Sequence, residues 1–145
     1  ANDSRTLELM NTIAYAEEDL GHLDLAQEQF TSVVNQHAQQ PTRTSSEALA
    51  RNNLAMLLVK QGKIDAATAQ FREVLAIGTQ AIGVQSPLYA VMLSNAATAD
   101  IAAKRFVDAQ SKLNLAIPLL VASFGPDHVR VQTANERLAS AMRSR

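Results

Sequence analysis

The residues that most often perform chemistry in proteins are few and scattered in this chain. Its three histidines, His22, His37 and His128, have no second ligand at the spacing of a metal site, and no H-E-x-x-H pattern occurs. The consecutive acids Glu17 and Glu18 would diverge by about 100° on a helix, so they make a poor carboxylate pair for acid–base catalysis. The chain has no cysteine, which excludes thiolate catalysis, disulfides and Cys-ligated metals. We therefore expect no enzyme activity, no metal and no cofactor.

The composition and net charge argue against nucleic acid and membrane as partners. The chain has 145 residues, of which 47% are hydrophobic and 19% charged, and this predicts a single folded domain over residues 1–145. A net charge of −1 gives no electrostatic footprint for nucleic acid. No apolar run is long enough to span a bilayer, so we expect no membrane insertion. No signal peptide is visible, and a cytoplasmic location is the default expectation.

The strongest pattern is a repeat whose period of about 42 residues falls in the range typical of stacked repeat proteins. Ala67 and Ala109 lie one period apart in similar surroundings, and Ala26 precedes Ala67 by one position less than a full period. The matching segments are L-G-H-L-D-L-A-Q-E-Q-F from Leu20, Q-G-K-I-D-A-A-T-A-Q-F from Gln61 and A-K-R-F-V-D-A-Q-S-K-L from Ala103. Stacked repeats of this kind present an extended binding surface.

Helical spacing of apolar residues predicts seven helices and no strand. Short loops between paired helices predict antiparallel hairpins. We expect an all-α fold, an α-α superhelix of three helical hairpins (7–44, 45–86 and 87–126) with a C-terminal capping helix at 127–143. The predicted N-terminal capping residues are Asp24, Ser45 or Ser46, Asp65, Ser86 followed by Pro87, and Asp127.

These residues resemble the tetratricopeptide repeat (TPR), a family of helical hairpins. In that family a small residue lies in the first helix, an alanine lies early in the second, and an aromatic residue follows four positions later. The matching positions are Ala14, Ala55 and Ala97, then Ala26, Ala67 and Ala109, then Phe30, Phe71 and Leu113. The period exceeds the family's usual value of about 34 residues, so longer helices are expected, chiefly the second of each pair.

The longer repeat is similar to that of kinesin light chain and its bacterial relatives. The motif N-N-L-A occurs at residues 52–55, Q-G-K at 61–63, and a G-x-x-x-P linker at 83–87. The segment G-P-D-H at 125–128 matches the family's loop between repeats. The third repeat departs from the pattern because Lys104 replaces the turn glycine. The resemblance covers roughly residues 7–142.

The resemblance implies a site as well as a fold. In this family the first helices line a concave surface, and in kinesin-light-chain-like repeats the second asparagine of N-N-L-A contacts the bound peptide. Asn53 and Asn95 hold that place, and an Asn amide can pair with any peptide backbone because it both donates and accepts. The other binding residues implied are Asn52, Asn11, Met56, Lys60, Tyr15 and Thr98. The alternative interpretation is that these are solvated residues, or residues that tie one hairpin to the next.

Charge is separated along the chain. Acids cluster at 17–19, whereas Arg137, Arg143 and Arg145 lie near the other end. This polarity could orient a bound peptide, although most of these charges are expected to form a solvated face.

The leading functional hypothesis is a protein-interaction module that binds a peptide or protein segment in a concave groove. A self-assembly scaffold, forming a homo-oligomer, is the alternative because three hairpins would expose apolar ends and the terminal helix would cover only one of them. A third interpretation is a regulatory TPR segment of a larger signalling protein, since the sequence opens at Ala1 and not at Met.

Overall fold

The computed structural model describes residues 4–144, and these residues form seven α-helices and no strand. The helices are α1 (Ser4–Asp19), α2 (Leu23–Ala38), α3 (Ser45–Lys60), α4 (Ile64–Ile77), α5 (Pro87–Ala102), α6 (Phe106–Phe124) and α7 (Val129–Arg143). The predicted all-α fold is confirmed.

The chain divides into two compact units, and the boundary lies between Ile77 and Gly78. In the first unit α1 packs on α2, α2 on α3, and α3 on α4. In the second unit α5 packs on α6, and α7 packs on both of them. Helices α3, α5 and α7 begin at Ser45, Pro87 and Val129, so their starts are separated by one repeat period each. The terminal helix α7 therefore takes the place of a first helix in the repeat.

The residues that define the repeat lie in the cores of the two units. All nine positions are at most 3% exposed: Ala14, Ala26, Phe30, Ala55, Ala67, Phe71, Ala97, Ala109 and Leu113. Small side chains at the alanine positions allow close helix packing, and the larger residues fill the remaining space.

Backbone hydrogen bonds close the turns between paired helices. A residue in the left-handed conformation ends each first helix, namely Gly21 (φ 82°), Gly62 (φ 76°) and Lys104 (φ 61°). The N–H of the following residue donates to the carbonyl five residues earlier at 2.8 Å, in the pairs His22–Glu17, Lys63–Leu58 and Arg105–Asp100. This is the Schellman pattern of helix termination. Lys104 thus adopts the same conformation as the two glycines.

This turn explains why two predicted capping residues are wrong. Asp24 and Asp65 lie within the first turns of α2 and α4, and the helices begin before them. Because the chain re-enters a helix directly after the Schellman turn, no residue is left to act as an extended capping residue. The two carboxylates instead interact favourably with the positive end of the helix dipole.

The caps of α3 and α7 are each next to a predicted position. Thr44, and not Ser45 or Ser46, accepts the backbone N–H of the third residue of α3 at 3.2 Å. His128, and not Asp127, caps α7 through its Nδ1 at 3.1 Å. In both cases the residue with extended backbone angles is the cap, because only that conformation turns the side chain back to the helix end.

A π-helical turn, Gly78–Ile82, directly follows α4 in the chain. Gly78 packs against Tyr89 of α5, and a Cβ atom at this position would lie 2.5 Å from the Tyr89 ring. The absence of a side chain is therefore required by this close contact. Ser86 accepts the backbone N–H of Leu88 at 3.2 Å and precedes Pro87, as predicted for the start of α5.

Lengthening of the second helices is confirmed for part of the chain. Helix α6 has 19 residues and α5 has 16, and the π-helical turn extends the chain beyond the 14 residues of α4. Helices α1 and α2 both have 16 residues, so the first hairpin does not follow this prediction.

We expect Lys104→Gly to stabilise the second unit. A non-glycine residue in the left-handed conformation is strained, and removing this strain should outweigh the extra entropy of the unfolded chain by about 0.5–1 kcal/mol. Urea unfolding should show a higher midpoint for the variant. Lys104→Ala is the matched control, because it removes the same side chain and keeps the strain. An equal gain in both variants would show that the lysine side chain, and not the backbone conformation, is responsible.

Glu47 is the centre of a buried ion cluster in the first unit. Only 2% of the residue is exposed, and its carboxylate accepts hydrogen bonds from Arg43 at 3.0 Å and Arg51 at 2.9 Å. The same arginines reach α4, where Arg43 contacts Glu73 at 2.6 Å and Arg51 contacts Gln70 at 2.9 Å. Burial raises the pKa of Glu47, but the hydrogen bonds from both arginines outweigh burial and hold this pKa below its usual value. The cluster ties α3 to α4.

Asp100 forms the comparable cluster in the second unit. The residue is 5% exposed and pairs with Arg105 at 3.1 Å and Lys112 at 2.6 Å. These contacts tie the end of α5 to α6. Both clusters satisfy the rule that a buried charge is paired.

Candidate functional site

The predicted binding residues of α1 are only partly accessible. Tyr15 is 46% exposed, and its ring lies edge-on to Phe30 with centroids 5.2 Å apart. Burial, with a smaller contribution from Glu18, raises the pKa of Tyr15. Asn11 is half-buried, and its Oδ1 atom is buried without a hydrogen bond among the described residues. Tyr15 therefore contributes to the core as well as to the surface.

The predicted residues of α3 differ in accessibility. Asn52 is buried at 8% exposure, whereas Asn53 and Met56 are half-buried. Lys60 is exposed, and its Nζ lies 2.6 Å from a carboxylate oxygen of Glu18 on α1. A partner could therefore reach Asn53 and Met56 directly, and it would meet Lys60 already in an ion pair.

A cluster of hydrogen-bonding side chains lies between α5 and α7 in the second unit. Arg137 of α7 donates from Nη1 to Ser94 Oγ at 2.8 Å and to Asn95 Oδ1 at 3.1 Å. One turn further along α5, the Oγ1 atom of Thr98 is buried without a hydrogen bond among residues 4–144. We call Ser94, Asn95, Thr98 and Arg137 the α5–α7 polar cluster.

Arg137 is electrostatically unusual. It is half-buried, and loss of hydration lowers its pKa. Within the part of the chain that the structure describes, no carboxylate lies within 4.0 Å of it. By contrast, Arg51 and Arg105 pair with Glu47 and Asp100. A partly desolvated cation without a counter-ion can donate hydrogen bonds to an oxygen atom of a partner at little further desolvation cost.

The sequence predicted Asn95, which the structure brings together with Arg137, and Thr98, which lies one turn further along α5. From the sequence, Arg137 was considered only as one of the positive charges near the C-terminal end. A signal was nevertheless present, because Asn53, Asn95 and Arg137 follow one another at the repeat period and hold the same place in α3, α5 and α7. Continuing the register into the terminal helix identifies Arg137 as the third member of this series.

The charged residues that the sequence places near its two ends have different environments. Glu17 lies 2.8 Å from His22, and Glu18 pairs with Lys60, so these two acids have partners within their own unit. Arg143 is exposed. Arg145 lies outside the described residues.

The described residues hold no candidate metal site and no helix that could span a membrane. Among residues 4–144, no group of three or more His, Asp or Glu side chains could hold a metal ion. None of the described helices is long and apolar enough to cross a membrane.

The paired helices and the repeating core define an α-helical repeat protein. A family model described as "Tetratricopeptide repeat" matches residues 46–121. The match covers more than half of the chain, and the chain belongs to the tetratricopeptide repeat family. This fold generally serves protein–protein interaction. No curated protein sequence matched the chain.

Solved structures share the fold. The nearly identical TPR-like repeats of a Podosopora anserina kinesin light chain match 99% of this chain and 69% of their own length, at 18% identity and a TM-score of 0.88. A point variant of that protein matches 98% of this chain and 68% of its own length, at 19% identity and a TM-score of 0.79. BtubC (BKLC) from P. vanneervenii matches 97% of this chain at 17% identity and a TM-score of 0.82, and this chain covers 56% of its length. At these identities the similarity shows the fold alone.

Proposed function

We propose that this protein is a non-enzymatic interaction module that binds a peptide or protein segment through polar side chains of α3, α5 and α7. The observation that carries this proposal is the α5–α7 polar cluster, in which a half-buried Arg137 lacks a carboxylate partner among the described residues. Asn53 on α3 occupies the equivalent place in the first unit.

The chemistry of the cluster suits an extended peptide. Only Nη1 of Arg137 donates hydrogen bonds within the described residues, so its remaining N–H groups can donate to a partner. Carbonyl oxygens recur at every residue of a peptide, so the cluster can bind a main chain without selecting its sequence.

The test begins with a displayed peptide library selected on the wild-type protein. A selected peptide is then titrated by calorimetry into wild type and into the double variant Asn53→Ala/Asn95→Ala. Loss of one hydrogen bond at each position should weaken binding roughly 5- to 150-fold, at about 0.5–1.5 kcal/mol for each bond.

Asn35→Ala/Asn114→Ala is the matched control. These asparagines are exposed, lie on second helices and include one residue from each unit. Affinity should be unchanged in this control. Equal affinities for wild type and the Asn53→Ala/Asn95→Ala variant would contradict the proposed role of both asparagines.

Self-association is a second candidate function, favoured by one surface. Helix α1 exposes Leu9 at 60% and Ile13 at 41%, one turn apart, and Leu20 just beyond its end is 69% exposed. An apolar stripe of this kind is typical of a contact face. Light scattering over a range of protein concentrations tests this candidate, and a constant monomer mass would contradict it.

A further inference from the structure

A cavity of about 240 Å³ lies in the first unit where α1, α2 and α3 meet. Its walls include Leu7, Glu8 and Asn11 from α1, His37 from α2, and Ser46 and Leu49 from α3. Its volume corresponds to roughly eight water molecules in the liquid, which is enough for one long side chain. Asn11 was already predicted from the sequence to contact a peptide, so the cavity adjoins the expected binding surface.

Glu8 is the acidic side chain in the wall of this cavity, and the other polar groups of the wall come from Ser4, Asn11, His37 and Ser46. The Oδ1 atom of Asn11 is itself buried, so an occupant of the cavity does not reach it. Glu8 is exposed, and no cation among residues 4–144 lies within 4.0 Å of its carboxylate. Burial lowers the pKa of His37, an effect that nearby Glu47 only partly opposes, so the imidazole adds no positive charge near neutral pH. Glu8 is therefore the side chain of the wall that carries a charge near neutral pH.

The apolar part of the cavity can hold an aliphatic chain. Leu7 is 8% exposed and Leu49 is 41% exposed, and both side chains form its walls. An occupant that matches the whole cavity has a flexible apolar stem and a cationic head rich in donors. Lysine and arginine have this form, because their methylene groups pack on apolar surfaces while the head stays with polar groups.

We infer that this cavity receives a lysine or arginine side chain of the bound peptide, with its head near Glu8 and its stem on Leu7 and Leu49. The inference rests on the proposed peptide-binding function. A carboxylate in this place would face the charge of Glu8. A purely apolar side chain would contact the two leucines but leave the Glu8 carboxylate without a cation. A basic side chain places its charge near Glu8 and also packs its methylene groups on Leu7 and Leu49.

The experiment starts from the same library selection on the wild-type protein. Sequencing of the bound pool should show lysine or arginine enriched at one fixed position. In a selected peptide this residue is then replaced by norleucine, which keeps the stem and removes the charge. Calorimetry should show at least a tenfold loss of affinity on wild type.

A double-mutant cycle assigns that loss to the cavity. On Glu8→Gln the penalty for norleucine should fall to threefold or less, whereas on Glu28→Gln, an exposed acid on α2, it should stay as on wild type. Glu8 is exposed, so both variants should fold, which circular dichroism checks.

Two failures are distinguishable. If peptides bind but no basic residue is enriched, or the norleucine penalty is the same on wild type and Glu8→Gln, the inference is overturned and the proposed function stands. If no peptide binds the wild-type protein, both are overturned.

Discussion

Phe30→Ala should destabilise the first unit by about 3–5 kcal/mol. Phe30 is completely buried, and its ring contacts the edge of Tyr15 with centroids 5.2 Å apart. Truncation removes a large apolar side chain, leaves a cavity that its neighbours cannot fill fully, and abolishes the aromatic pair. Urea unfolding followed by circular dichroism measures the change in the free energy of unfolding.

Leu25→Ala is the matched control for that prediction. Leu25 lies on the same helix and is 50% exposed, so its truncation should change the free energy of unfolding by about 0.5 kcal/mol or less. Similar losses in both variants would contradict the assignment of Phe30 to the core.

Glu47→Ala should cost nearly as much, about 3–5 kcal/mol. The substitution removes the carboxylate that accepts from Arg43 and Arg51, and Arg51 itself is only 14% exposed in its side chain. A partly buried guanidinium would then lack its counter-ion. Glu73→Ala is the control, because Glu73 is 47% exposed in its side chain and its pair with Arg43 should contribute only about 0–1 kcal/mol.

The contribution of Glu47 should also depend on pH. Because its pKa is lower in the folded protein than in the unfolded chain, its stabilising effect is complete above the unfolded value of about 4.3. The effect is lost as the pH falls through the lower folded value. The difference in unfolding free energy between wild type and Glu47→Gln should therefore shrink from about pH 7 to about pH 3. A difference that stays constant or grows in acid would show that the pKa of Glu47 is not depressed.

The fold could be predicted from the sequence because its determinants are local and periodic. The buried alanines recur at a nearly constant spacing, and so do Phe30 and its equivalents Phe71 and Leu113. Helix periodicity places these residues on packed faces. The starts of α2 and α4 could not be assigned correctly, since Asp24 and Asp65 have the residue type of a cap but follow turns closed by backbone hydrogen bonds. Only the dihedral angles at Gly21 and Gly62 reveal this arrangement.

The ion clusters were outside the reach of sequence reasoning for a different reason. Glu47 and Asp100 are of residue types that usually lie at the surface. Their burial depends on how α3 packs on α4 and how α5 packs on α6. The same holds for Arg137, whose bonds to Ser94 and Asn95 join two helices that are far apart in the sequence. Charge counting treats such residues as solvated, whereas tertiary packing decides whether they are.

Asn95 illustrates how far the candidate site could be predicted. Its place in the repeat identified it as a binding residue, and the hydrogen bond that it accepts from Arg137 agrees with the alternative that such residues tie one hairpin to the next. The structure therefore extends the proposed site from a single amide to a cluster that includes a cation. It also shows that Asn52 is buried, whereas Asn53 is more accessible.

The most direct test of the proposed function is to map a selected peptide on the protein by NMR. Amide and side-chain signals of ¹⁵N-labelled protein are followed as the peptide is added. Binding through the proposed site should give saturable shifts concentrated at Asn53, Asn95, Thr98 and the Arg137 guanidinium, with little change at Asn35 and Asn114. Saturable shifts confined to α2, α4 and α6, with the Arg137 signal unchanged, would contradict it.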